Sequence, residues 1–219
     1  MNILSVWSEW LPELLEGLAV TLKITAVSVG LGIPLGLLLA LGVLSKNKLL
    51  QWTCLLTVEI GRGAPALVIL HFVYYGLPSA GLTLTAFAAA SVALAWNTGA
   101  YTSEIIRAGL NSVPYGQTEA VTALGFTRFD ALRYVIVPQG LRVAIPALLA
   151  FSIVMLQASS LCFTIALPEL LSRAYELGTT NFKYISVFSL AALLYISICA
   201  PAALIVSWLE HRLGSYEAR

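Results

Sequence analysis

Residues 107–138 read RAGLNSVPYGQTEAVTALGFTRFDALRYVIVP. This is the longest break between apolar segments and the only interior stretch dense in charge and turn residues. Apolar runs come right up to it on one side, ending near Ile106, and resume on the other near Val143. A polar segment of this length between oily runs belongs in water, and the runs beside it belong elsewhere.

The composition says where. The chain is 59% hydrophobic and 11% charged, with a mean hydropathy of +0.88. Soluble domains carry about 25% charged residues, so this surface must in large part face lipid. The net charge of +1 gives no reason to expect a nucleic-acid partner. Cys54, Cys162 and Cys199 lie far apart in apolar runs and read as small buried hydrophobes. The N-terminus carries Glu9, Glu13 and Glu16 before its first lysine, Lys23, so no cleavable signal is expected and the first span serves as targeting element.

Crossing a hydrocarbon core takes roughly 20 apolar residues as helix. Working outward from the central break gives an all-α integral membrane protein with five expected spans, at about 18–44, 49–75, 82–106, 143–167 and 185–209. The break itself is the segment 107–142, and the spans and break together form one transmembrane domain over 17–210. Residues 1–16, with Trp7 and Trp10 among glutamates, read as an interfacial helix. Lys46, Lys48, Arg107, Arg128, Arg133, Arg142, Arg212 and Arg219 fall on one side, against Lys23, Arg173 and Lys183 near the other. The positive-inside rule then puts the N-terminus outside, the C-terminus inside and the 107–142 segment in the cytoplasm.

Polar residues inside the spans are the candidates for function. Glu59 and Arg62 are three apart and share a helix face, just before Gly61, Gly63 and Pro65 disturb regular geometry. Two readings stand: an ion pair that positions the span, or a gate. Asn97, Tyr101 and Glu104 are spaced to share one face of the third span. A buried amide such as Asn97 either bonds helices together or meets a polar ligand. In the fourth span Gln157, Ser159 and Ser160 interrupt an oily run. Serines often bond back to their own helix, whereas the long Gln157 amide wants partners on both its atoms. The candidate substrate contacts are therefore Asn97, Tyr101, Gln157 and Ser160. His71 alone reads as a helix-to-helix hydrogen bonder, and Gly30, Gly32 and Gly36 as close-approach positions.

Within the opening stretch, Glu119-Ala120-Val121 is followed by Gly125 and then by Val135-Ile136-Val137-Pro138. This spacing resembles the cytoplasmic signature of bacterial ABC importer permeases, Glu-Ala-Ala, a glycine and a later Ile-x-Leu-Pro. Val121, Val135 and Val137 are conservative departures from it. Glu59 to Pro65 is similar to the Glu-x-x-Arg-Gly-x-Pro element of the polar amino acid subgroup, which imports histidine, arginine, glutamine, glutamate and opines. Tyr74 to Pro78, Tyr101 with Glu104 to Gly109, Ser112 to Pro114, Gly116-Gln117, and Pro138 to Arg142 with Pro146 extend the likeness over essentially the whole chain. Gln157-Ala158 departs from it, since the subgroup often has a Lys-Asp or Lys-Ser pair there.

The resemblance implies a type I permease subunit with no cofactor of its own. It implies a coupling helix, carrying Gln117, Glu119, Ala120 and Gly125, that docks on an ATPase subunit. The implied partners are a second permease, identical or paralogous, two ATPase subunits that bind ATP and Mg, and a periplasmic or lipid-anchored binding protein. The implied location is the bacterial inner membrane. Two other classes fit the residues less well. A membrane enzyme needs convergent ionisable groups near the midplane, and the deep polar residues here are amides and hydroxyls. An ion-coupled transporter or channel favours central carboxylates, whereas Glu59 and Glu104 lie toward the basic side. No P-loop, His-Glu-x-x-His or Gly-x-Ser-x-Gly element is present.

Overall fold

A computed structural model describes residues 3–214. Arg219 and Tyr216 lie outside the described residues. The elements are α1 (Ile3–Val43), α2 (Lys48–Gly63), α3 (Ala66–His71), α4 (Ala86–Asn111), α5 (Tyr115–Ala123), α6 (Arg128–Ala131), α7 (Val137–Ala158), α8 (Leu170–Asn181) and α9 (Tyr184–Gly214). A π turn (Phe72–Gly76) and a 3-10 turn (Leu77–Ala80) extend α3, a π turn (Leu132–Ile136) joins α6 to α7, and a 3-10 segment (Ser159–Ile165) extends α7.

Three of these helical stretches are long and apolar enough to cross a membrane, Trp7–Val43, Arg128–Ile165 and Tyr184–Leu213, or four if the bent pair Lys48–Gly63 and Ala66–Ala80 is one span. That pair turns through 106° at Gly63–Pro65. Pro65 has no N–H to continue the ladder of α2, and α3 starts on it as a new helix. The stretch expected as one span over 49–75 is therefore two helices, broken where Gly61, Gly63 and Pro65 were expected to disturb it.

The expected third span is α4, which is long enough but does not meet the same apolarity test. Its middle holds Asn97, Thr98, Gly99, Thr102 and Ser103, all buried. α4 is the central helix, so its polar groups face protein rather than lipid. It packs along α1 through small residues. A Cβ on Gly32 would fall on the Thr98 side chain and within 2.9 Å of the Ala95 carbonyl. A Cβ on Gly36 would meet Thr102 and lie 3.0 Å from the Gly99 carbonyl. Gly32 and Gly36 set the α1–α4 distance, as expected of them. A Cβ on Gly30 would meet nothing within 4 Å, so Gly30 is not a close-approach position in this chain.

α1 is one helix of 41 residues, about 60 Å long at 1.5 Å per residue. α1 runs without a break through residue 16, so residues 3–16 of the stretch expected to be interfacial are continuous with the first span. These first turns do not lie free on a membrane surface. Trp10 and Leu14 share a stripe and bury against Leu170 and Ala174 of α8 and Val187 of α9. α8 itself is an amphipathic helix that hydropathy alone does not reveal.

Candidate functional site

Three side chains of α4, Trp96, Asn97 and Tyr101, reach across the α2–α4 contact. Asn97 is 3% exposed, and its Nδ2 donates to the Gly61 carbonyl at 2.9 Å. Trp96 Nε1 donates to the Thr57 carbonyl at 3.2 Å, and Tyr101 Oη to the Arg62 carbonyl at 3.2 Å. α4 thus takes up the Gly61 and Arg62 carbonyls at the C-terminal end of α2, where the Pro65 break leaves them without intrahelical donors. Both lie past the last bond of the helix, Ala64 N–H to Ile60 O, whereas Thr57 lies a turn earlier, inside the helix. The shared face of Asn97, Tyr101 and Glu104 exists, and it faces α2. Of the two readings of Asn97, its observed bond is the helix-to-helix one.

Charge collects at the end of that face. Arg62 Nη1 lies 3.9 Å from Glu59 Oε1 and 3.8 Å from Glu104 Oε2. Arg107 closes on Glu104 with both ends of its fork, Nε to Oε1 at 3.2 Å and Nη2 to Oε2. The expected Glu59–Arg62 pair is one edge of a four-residue chain, and Glu104 is its hinge between two helices. The spacing of Glu104 and Arg107 already permitted their contact. The half-exposed setting makes each pair worth little in stability, so the chain acts as a locator.

The α7 candidates stand apart from this face. Tyr101 connects the two regions by stacking on Phe151, with ring centroids 5.4 Å apart. Gln157 is exposed at the end of α7, and no described residue bonds its side-chain amide. The Ser160 hydroxyl donates to the Gln157 carbonyl at 2.7 Å, and the buried Ser159 hydroxyl to that of Leu156 at 2.7 Å. Beyond them, His71 Nε2 pairs with Thr164 Oγ1 at 2.8 Å, the helix-to-helix bond expected of it.

The segment expected to couple to an ATPase leaves much of its surface bare. Pro114 starts α5 and Gly125, at φ +78°, stops it with Gly125 N–H to Thr122 O and Phe126 N–H to Val121 O. Val121 alone of α5 is buried, while Gln117, Glu119, Ala120 and Gly125 are exposed. Tyr115, Leu124 and Phe129 are 75, 74 and 67% exposed. A shallow cavity of about 380 Å³ lies along Tyr115, Thr118, Glu119 and Thr122. Large apolar side chains left bare at a polar end mark an interaction surface.

Sequence reasoning missed Glu169. It is fully buried, accepts from the backbone N–H groups of Leu171 (2.9 Å) and Ser172 (2.7 Å), and so caps α8. Thr21 of α1 and Tyr195 of α9 donate their hydroxyls to it at 3.4 and 3.3 Å. Burial pushes its carboxyl above the usual range, and the four hydrogen bonds offset part of that rise. Among the described residues, no group of three His, Cys, Asp or Glu side chains could hold a metal ion.

Residues 32–215 match the family described as binding-protein-dependent transport system inner membrane component. The chain belongs to this family. The curated relatives agree. The chain is 38% identical over 208 residues to the probable amino-acid ABC transporter permease protein YckA of Bacillus subtilis, covering 95% of this chain and 92% of that protein. It is 35% identical to the arginine transport system permease protein ArtQ of the same organism, with 94% of each covered. A crystal structure of an amino acid ABC transporter with histidines superposes with a TM-score of 0.89 at 35% identity, over 97% of this chain and 99% of that one. The inward-facing MetNI methionine ABC transporter shares the fold, with a TM-score of 0.70 at 24% identity, over 90% of this chain and 96% of that one. In this family the chain is the permease subunit, and ATP hydrolysis belongs to separate ATPase subunits. The matches do not favour an ion-coupled transporter or a channel.

Proposed function

We propose that the protein is the membrane half of an importer for a polar amino acid delivered by a solute-binding protein. Amino acids are the cargo named for the relatives YckA and ArtQ. The observation that carries the reading is α5. It holds Glu119 and Ala120 exposed, it ends at the left-handed Gly125, and bare aromatic and leucine side chains surround it.

In this reading the chain has five spans, the bent α2–α3 pair and α4 among them, N-out and C-in, in the bacterial cell membrane. A second permease, identical or paralogous, completes the pathway. Two ATPase subunits bind ATP and Mg, and a periplasmic or lipid-anchored protein brings the amino acid. Closure of the ATPases draws the two α5 helices together, and the bundles rock between outward- and inward-open states of different substrate affinity. Glu59, Arg62 and Glu104 transmit that movement from α2 to α4 or hold the two in place. Tyr101, Gln157 and Ser160 are the proposed substrate contacts. Asn97 belongs to that set only in a state that releases it from Gly61.

The deciding experiment is cysteine crosslinking in membranes. Gln117→Cys forms a disulfide-length crosslink with the ATPase, and loss of ATPase co-purification with this chain ends the reading. Reporters give the orientation independently. One fused after Tyr216 reads as cytoplasmic and one inserted near Thr179 as external, and the reverse pattern removes α5 from the reach of ATP-driven machinery.

A further inference from the structure

On the side that carries α5, the end of α1, the start of α2 and α6 enclose a cleft of about 700 Å³. Its apolar lining includes Leu38, Leu41, Leu50 and Phe129, and its rim carries Lys46 and Arg128. Leu38, Leu50 and Phe129 are exposed although the cleft is theirs. No carboxylate lines it. Arg128 Nη2 donates to the Leu44 carbonyl at 3.0 Å, which fixes the guanidinium beside the rim without neutralising it. Asp130, close by in sequence, accepts from the Thr127 hydroxyl at 2.5 Å. The Lys48 ammonium donates to the neutral Gln51 amide.

We propose that this cleft is a binding site for an anionic phospholipid. Its phosphate sits between Lys46 and Arg128, and an acyl chain runs along Leu38 and Leu41. Three features carry this. The rim is purely cationic, the lining is apolar and set in helices that read as spans, and a pocket of this size takes a ligand as large as a glycerophospholipid headgroup with its first methylenes. Basic groups at the edge of a membrane helix attract anionic lipid by about fivefold each, so about 30-fold for the pair. The site lies in the cytoplasmic leaflet, an assignment that rests on the proposed orientation; the ligand chemistry does not.

Native mass spectrometry of the purified permease–ATPase complex tests it, with phosphatidylglycerol and phosphatidylcholine of matched chains. The intact complex retains phosphatidylglycerol in preference. Lys46→Gln/Arg128→Gln lowers that retention about 30-fold. Leu38→Trp fills the cleft from an exposed position and lowers it with both cations present, while Lys183→Gln at the far end changes nothing. Equal retention of the two lipids, or full retention in the double variant, overturns the proposal. So does a double variant that sheds the ATPase and keeps its lipid, since the rim then belongs to the ATPase interface. An external C-terminal reporter with the lipid preference intact would refute the orientation and leave the site standing.

Discussion

The α1–α4 seam and the α5–α6 segment are opposites in how their residues are used. In the seam, Gly32 and Gly36 have no room for a single added carbon, because Thr98 and Thr102 already fill the space. In α5–α6, the left-handed Gly125 has nothing within 4 Å of where a Cβ would sit, and its neighbours are bare. The same residue type serves two physical ends: close approach in the first, backbone conformation in the second. What packs inside the chain explains the fold, and what is left unpacked shows where the chain stops being self-sufficient.

The seam should break hardest. Gly32→Val pushes two branches into Thr98 and the Ala95 carbonyl, and backbone there cannot give way. Overpacking costs about 1–3 kcal/mol, and both helices of the seam would have to move. Folded protein recovered after detergent extraction should fall sharply. Unchanged recovery would mean that the α1–α4 contact is looser than its geometry.

Gly125 should lose function and keep the fold. Gly125→Val meets no steric clash inside the chain, but a branched residue in the left-handed region costs about 1–2 kcal/mol. Transport and substrate-stimulated ATPase activity should be abolished while membrane insertion persists. Asparagine sharpens the comparison, because it tolerates that backbone conformation. Rescue by Gly125→Asn would make the turn geometry the requirement; failure of both variants would make it close approach to the ATPase. Normal stimulated activity in Gly125→Val would remove the segment from coupling.

A third region combines both uses. Glu169 is packed like the seam and polar like α5, and it joins α1, α8 and α9. Its folded-state carboxyl is raised, so between its unfolded and folded values the native protein holds more protons than the unfolded one. Stability then falls as pH rises through that window, from the ordinary carboxylate range upward. Glu169→Gln should flatten this slope in a thermal-unfolding series. Glu169→Ala should lower stability by about 1 kcal/mol through the lost cap alone. A wild-type protein with no slope would show that the four hydrogen bonds to Glu169 cancel the cost of its burial.

These cases mark what can be read from sequence. Long apolar runs announce α1, α7 and α9 because lipid leaves no other use for them. Gly61, Gly63 and Pro65 announced a disturbance in the second span; they did not give its 106° bend, which depends on what α3 packs against. Asn97 was legible as buried, but its partner was not, because a backbone carbonyl such as Gly61's has no signature in sequence. Glu169 was missed for a related reason. Just past an apolar run it looks like any surface acid, and Thr21 is 148 positions away. α8 is too polar for hydropathy and begins on a glutamate cap, an uncommon start signal.

The smallest effect is expected where the chain is bare and polar at once, at Gln157. Its amide has no described partner, so Gln157→Ala removes nothing that holds the fold, and extraction yield should stay at the wild-type level. If the amide binds substrate, its loss costs one hydrogen bond, about 0.5–1.5 kcal/mol, or roughly two- to tenfold in apparent affinity. The chemistry of the surroundings predicts the pattern across substrates as well. Asn97, Tyr101, Gln157 and Ser160 are uncharged, and the nearby Arg62 is engaged with Glu59 and Glu104. Amides, hydroxyls and backbone dipoles can hold an ammonium and a carboxylate, but a charged side chain wants an opposite charge. Strong preference for arginine, lysine or glutamate should therefore come from the binding protein or a paralogous permease. The loss in Gln157→Ala should be similar for neutral, cationic and anionic amino acids, measured as substrate-stimulated ATPase activity. A loss confined to one charge class would place a charge-selective contact at Gln157. Unchanged affinity for every substrate would take Gln157 out of the pathway and leave it an exposed polar end of α7.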